Sequence, residues 1–150
     1  MVSASSHKPA AECDRMAFKD ELKRSVLLDI NCQVDDTPEF TTADGTKAHL
    51  NHLNKRLKSN GRDTIYTACI IGQCLKEFKN IYRGNKELLI CATKDLFSIG
   101  YVYFFIDLCN LATTYYRVSH ISLPLQIVRG KFKLIKEFVR EDEDFWMSGY

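Results

Sequence analysis

The sequence predicts an all-α domain of seven to eight short helices packed around one central helix that avoids water on every side. Apolar residues recur at helical spacing in successive segments, and no segment alternates apolar and polar residues as a half-buried strand does. The third observation is Ile99 to Ala112 (IGYVYFFIDLCNLA), apolar or aromatic at nearly every position and charged only at Asp107. That stretch is shorter than the roughly twenty residues a bilayer span needs. A helix apolar all round within a charged, water-compatible chain is expected to be wrapped by others. With 150 residues, 45% apolar and 27% charged, the chain suits one domain with a sizeable core.

Met1 to Ala10 is small and polar with Pro9, and is expected to be a disordered start, leaving 11–150 as the domain. From Ala11, the set Phe18, Leu22, Val26, Leu27, Ile30 and Val34 makes an amphipathic helix. Asp35 to Gly45 holds Asp-Asp-Thr-Pro and Asp-Gly and reads as a loop. A second helix from Thr46 puts Leu50, Leu53 and Leu57 on one face, with Asn60-Gly61 weakening its end. Ile65, Ala68, Ile70, Ile71, Leu75 and Phe78 mark a third, which Arg83-Gly84-Asn85 breaks. Lys86 to Phe97 carries Leu88, Leu89, Ala92 and Leu96. Gly100 opens the central helix, which extends to about Tyr116; Pro124 starts the next segment. Gly130 precedes a final amphipathic helix with Phe132, Leu134, Ile135, Phe138 and Val139, followed by Phe145-Trp146.

Charge excludes one class of partner. Lys and Arg number 21 against 19 Asp and Glu, a net charge of +2, with no basic arm or acidic tail, so nucleic acid is not expected. Of the cysteines, Cys69, Cys74, Cys91 and Cys109 lie in apolar helical runs and read as small core hydrophobes, with Cys13 and Cys32 elsewhere. No C-x-x-C pair, signal peptide or Asn-x-Ser/Thr sequon is present, so a reduced, intracellular, cytoplasmic protein is expected. Phosphate-loop, H-E-x-x-H and G-x-S-x-G signatures are missing, and no catalysis, cofactor or metal is expected. His49 and His52 share a helix face without the further ligands a metal needs. Asp107 is expected to reach solvent or a basic partner, because a buried unpaired carboxylate is costly. Arg140 to Asp144 (REDED) reads as a solvated turn suited to the start of a last helix, and Lys131, Lys133 and Lys136 as an exposed helix side.

What remains is an interaction surface. Short helices around a central one leave an apolar cleft, into which a partner helix can lay residues at i, i+3, i+4 and i+7. Leu88, Leu89, Ala92 and Leu96 are placed to form one wall.

Three segments carry a resemblance to a known family. Lys94-Asp95-Leu96-Phe97-Ser98-Ile99-Gly100, running into the central helix, resembles the first Bcl-2 homology motif, E-L-F-x-x-G-x-N-W-G-R. Glu137 to Arg140, the acidic turn and Phe145-Trp146 resemble the second. Leu53 to Asp63, with Leu57, Gly61 and Arg62, resembles the BH3 segment built on L-x-x-x-G-D, and Gly61 and Gly100 stand 39 positions apart. Where the family has N-W-G-R, this chain reads Val102-Tyr103-Phe104-Phe105, so the arginine that pairs with the aspartate of a bound BH3 helix is replaced by Phe105. Arg62 stands where the BH3 aspartate is usual, with Asp63 one place later, and the glycine pair before the final tryptophan is missing.

The resemblance implies a Bcl-2-like bundle that regulates apoptosis by binding BH3 helices of pro-apoptotic proteins in a hydrophobic groove. It implies a groove formed by Ala68, Ile71, Leu75, Leu89, Ala92, Leu96, Gly100, Val102, Phe105 and Leu108. A pro-survival guard is preferred. A pro-apoptotic effector and a Bcl-2-shaped adaptor that blocks immune signalling are the alternatives, and a homodimer is a further arrangement the resemblance admits. No hydrophobic tail follows before Tyr150, so association with mitochondrial or endoplasmic reticulum membranes is expected only where an anchor has been removed.

Overall fold

Helix α1 (Val2–Arg24) already departs from the expected boundaries at both ends. The computed structural model describes residues 2–28, 42–58 and 63–147, with side chains from Cys13 onward. Residues 2–10, expected to be disordered, are part of the helix. The helix stops where Ser25 turns back: its N–H donates to the Glu21 carbonyl at 3.0 Å and its hydroxyl to the Leu22 carbonyl at 2.6 Å. Val26 then pairs with Ile121 as an isolated bridge, Leu27 N–H donates to the His120 carbonyl at 2.9 Å, and Ser122 N–H to the Ser25 carbonyl at 2.8 Å. Val26 and Leu27, apolar positions in helical register, are thus drawn into a long-range pairing. Ile30, Val34, Cys32 and most of the expected 35–45 loop lie outside the described residues.

Helix α2 (Ala43–Lys58) starts three residues ahead of the expected Thr46 because Thr42 caps it. The Thr42 hydroxyl accepts from Gly45 N–H at 3.2 Å and its carbonyl from Thr46 N–H at 3.2 Å. Leu50, Leu53 and Leu57 are buried as one stripe. The Asn60-Gly61 break lies outside the described residues. Helix α3 (Thr64–Ile81) ends in a turn with Arg83 at φ 54° and Gly84 at φ 79°. There Gly84 N–H closes on the Lys79 carbonyl at 2.9 Å. Asn85 follows at once as the cap of α4 (Lys86–Thr93), its side chain accepting from Glu87 and Leu88 N–H at 3.0 and 3.2 Å.

Helix α5 (Ile99–Thr114) is capped by Ser98 and carries the apolar stretch. A 3-10 turn (Tyr116–His120) then leads to α6 (Leu125–Gly130), α7 (Phe132–Glu141) and α8 (Glu143–Met147). The α3–α5 pair is the most closely packed, with α2 and α4 against α3, the 3-10 turn against both, α8 against that turn and α6, α7 and α8 packed in succession, so the described residues form a helical bundle. Trp146, Phe78, Phe105 and Phe138 are its largest fully buried side chains. Among the described residues no helix is long and apolar enough to cross a membrane.

Two expectations need correction. The REDED segment is mostly exposed and puts Glu143 and Asp144 in the first turn of the last helix, but Glu141 and Asp142 are not free. Arg15 bonds Glu141 at 2.7 Å and lies 3.7 Å from Glu137, Lys19 lies 3.5 Å from Glu141, and Lys23 pairs with Asp142. The same three cations sit over aromatic faces, Arg15 and Lys19 at 4.6 and 5.8 Å from the Phe138 centroid and Lys23 at 4.9 Å from that of Phe145. The acids therefore fasten α1 to α7 and α8. The second correction concerns cysteines: Cys69, Cys74 and Cys109 are buried, whereas Cys91 is exposed on α4. Burial pushes the Cys74 thiol up to about 12 and those of Cys69 and Cys109 upward too, which leaves them unreactive.

Candidate docking cleft

The site begins with how α5 is held from behind. Gly72 of α3 meets it so closely that a Cβ there would stand 2.1 Å from the Phe105 carbonyl oxygen and 2.7 Å from the Cys109 Cβ. Glycine is the residue type that permits this approach of two backbones. Lys76 Nζ donates to Asn110 Oδ1 at 2.9 Å beside that contact, and the Cys109 thiol donates to Gln73 Oε1 at 3.6 Å. Val102, Phe104, Phe105, Leu108, Cys109 and Leu111 are buried on this and adjoining sides. Phe105 packs edge-on to Phe97 at 5.2 Å, and Phe104 edge-on to Phe132 of α7 at 5.2 Å.

The opposite side of α5 is uncovered, contrary to the expectation that this helix is buried all round. Ile99 is 54% exposed and Tyr103 43%, Ile106 is half-buried, and Asp107 and Asn110 face solvent. These positions are three and four residues apart, so they share one face. Burying α5 requires only that most of its surface be covered, and α3, the 3-10 turn and the aromatic residues of α7 cover three sides.

Along the open face runs a cleft of about 180 Å³ between α4 and α5, lined by Lys79, Leu89, Ile90, Val102, Tyr103 and Ile106, with Lys86 and Asp107 completing its rim. An apolar space of roughly 150 Å³ takes a benzene-sized group, so this cleft admits one large side chain. Two short signals position its walls: the Asn85 cap sets the start of α4, and the Ser98 cap sets the start of α5, with the Lys94–Leu96 turn between them.

The ten residues assigned to the groove divide sharply. Leu89 and Val102 line the cleft at its floor, themselves buried in the core at 3% and 1% exposure. Ala68, Ile71, Leu75, Phe105 and Leu108 are each buried in the core, where they hold α3 to α5. Ala92 is half-buried against the core, and Leu96 faces a separate hollow with Asp44, Lys47 and Asp95. That hollow is bridged by Lys47 and Asp95 at 3.2 Å, and the hydrogen bond from Lys47 keeps the Asp95 carboxyl below its ordinary range. Gly100 lies exposed at the first turn of α5, where a Cβ would approach Arg129 Nη2 to 2.6 Å. The Arg129 guanidinium stacks 4.0 Å over the Tyr101 ring.

Ile90, Tyr103, Ile106 and the two lysines are the lining residues that helical spacing alone did not select. Ile106 and Tyr103 were legible only as members of an apolar run. A second, wider hollow on the far side of Asp107 is lined by Asn110, Leu111, Thr114, Tyr115, Lys136 and Arg140. Its floor is fixed by the Tyr115 hydroxyl, which donates to Glu143 at 2.9 Å. His49 and His52 gather no third ligand, and no group of three metal-ligating residues occurs among the described residues. Burial, then the neighbouring His52, pushes His49 below its ordinary pKa. The chain was compared with protein-family models, curated proteins and solved structures, and nothing in any of the three matches it.

Proposed function

We propose that this protein regulates apoptosis by binding rather than catalysis, as a pro-survival guard that seats the BH3 helix of a pro-death protein in the α4–α5 cleft. The observation that carries the reading is an apolar cleft beside the open face of the most apolar helix, directly after the Leu96–Gly100 segment that resembles the first Bcl-2 homology motif. One large side chain of the partner enters between Leu89, Ile90, Val102 and Ile106 and anchors the helix. Each 100 Å² of apolar area covered contributes on the order of 2.5 kcal/mol before the partner's ordering cost. Phe105 is buried and cannot replace the family's arginine, but Lys79 and Lys86 stand at the cleft and offer a cation to an acid of the partner helix. Action inside the cell, in the cytoplasm or at mitochondrial or endoplasmic reticulum surfaces, belongs to the same reading.

A second reading rests on a specific observation. Seven of the ten expected groove residues are buried in the core, so the cleft is small, and a Bcl-2-shaped adaptor that blocks immune signalling needs no open groove. Calorimetric titration with a panel of BH3 peptides separates the two. The guard reading expects binding to at least one peptide and its loss in Tyr103→Glu, whose exposed position leaves folding intact. Absence of binding to every peptide, together with capture of a signalling adaptor, favours the second reading. A pro-apoptotic effector would instead kill cells on expression where a guard protects them.

A further inference from the structure

Asp107 is the one charge in the apolar run of α5, and it stands at the rim of the cleft with no hydrogen bond or ion pair to any described residue. Cations are close at hand. Lys79 and Lys86 line the same cleft from α3 and α4, and Lys136 and Arg140 line the hollow on its other side. None of them bonds it. The carboxylate stays hydrated because the face is open. A helix laid over Tyr103 and Ile106 would strip that water, and an unpaired, desolvated carboxylate is strongly disfavoured. Lys86 belongs to α4 and Asp107 to α5, the two walls of the cleft, so an occupant inserted between them separates that lysine from the acid.

We infer that Asp107 selects the occupant: the cleft takes a partner helix carrying a lysine or arginine about one turn from its apolar anchor. This inference rests on the reading of the α4–α5 cleft as a docking site. The spacing follows from α5 itself, where Asp107 lies four residues beyond Tyr103 and next to Ile106, one helical turn of roughly 5.4 Å along the cleft. The selectivity is opposite in sign to that of the Lys79 and Lys86 side, so the cleft sets the polarity of the bound helix as well as its composition.

The test uses the full chain and designed amphipathic peptides of about twenty residues with leucines at i, i+3, i+4 and i+7. Two series place Lys, Gln or Glu four positions before or after the central leucine. In one series the wild-type protein is expected to bind the Lys peptide about tenfold more tightly than the Glu peptide, and Asp107→Lys to reverse that order. Asp107→Asn is expected to flatten it while leaving the thermal midpoint unchanged, since the side chain is exposed. Equal affinity for all three peptides, with binding still lost in Tyr103→Glu, overturns the role of Asp107 alone. So does a loss in Asp107→Asn that is the same for every peptide, which would mean that Asp107 turns to a cation of its own chain. No binding by any peptide, or binding indifferent to Tyr103→Glu, overturns the docking reading and this inference together.

Discussion

The two sides of α5 both carry large apolar residues, the front with Asp107 and Asn110 among them, and meet opposite fates. On the rear, Phe105 and Leu108 are sealed against α3, with Gly72 letting the backbones approach until a methyl group no longer fits. On the front, Ile99, Tyr103 and Ile106 are as apolar, yet α4 is only eight residues long and leaves a cleft where a second wall could have closed. The difference teaches that apolar character along this helix does not decide which residues are sealed and which stay exposed. Coverage by the neighbouring helix does, and α3 is more than twice as long as α4.

Substitutions on the two sides should therefore differ by kilocalories. Phe105→Ala removes a fully buried ring and is expected to cost about 3–5 kcal/mol in denaturant unfolding. Gly72→Ala comes next. Its methyl group would overlap the Phe105 carbonyl, and a net loss of about 2 kcal/mol or more is expected even though alanine favours helix by about 1 kcal/mol. A stable Gly72→Ala protein would show that the two helices are not locked at that point. Tyr103→Ala on the open face should stay within about 0.5 kcal/mol of wild type while weakening peptide binding, and a large stability loss there would erase the contrast.

The cysteines sharpen the comparison chemically. Cys91 on short α4 and Cys13 on α1 should be alkylated quickly in the native protein, whereas Cys69, Cys74 and Cys109 behind α5 should wait for unfolding. Mass spectrometry of a timed alkylation reads this directly. The smallest effect concerns the far edge of the bundle, where hydrogen bonds from Arg15 and Lys23 hold the Glu141 and Asp142 carboxyls below their ordinary values of 4.5 and 3.8. Folded-state values lower than unfolded ones stabilise above that range and cease to do so as pH falls through it. Unfolding midpoints should thus drop below about pH 5, less steeply in high salt because these groups are exposed. Glu141→Gln with Asp142→Asn should remove that dependence.

Much of the bundle was legible in residue order. The stripe of Leu50, Leu53 and Leu57, the break at Arg83-Gly84-Asn85 and the helix after Gly130 all appear where their local chemistry puts them. Boundaries failed where a distant segment intervened, as at Val26, which leaves the helix to pair with Ile121. The acids after Arg140 look solvated in isolation because their partners, Arg15, Lys19 and Lys23, lie more than a hundred residues away. The groove was the least legible part. Ala68, Ile71 and Leu75 satisfy the spacing of a groove floor and of a core equally well, and they are core.

By itself, then, the chain determined that it is helical, where several of its breaks fall, and that Ile99 to Ala112 would be its most apolar element. These follow from local propensity, capping and composition, which act within a few residues. Asp107 and Asn110 already marked the side of that element that meets water, and only the tertiary structure decided how much apolar surface stays open beside them. So narrow a polar stripe leaves the exposure of its apolar neighbours to be set by what packs against the helix: Gly72 and α3 on one side, and on the other a short α4 that leaves Tyr103 and Ile106 open.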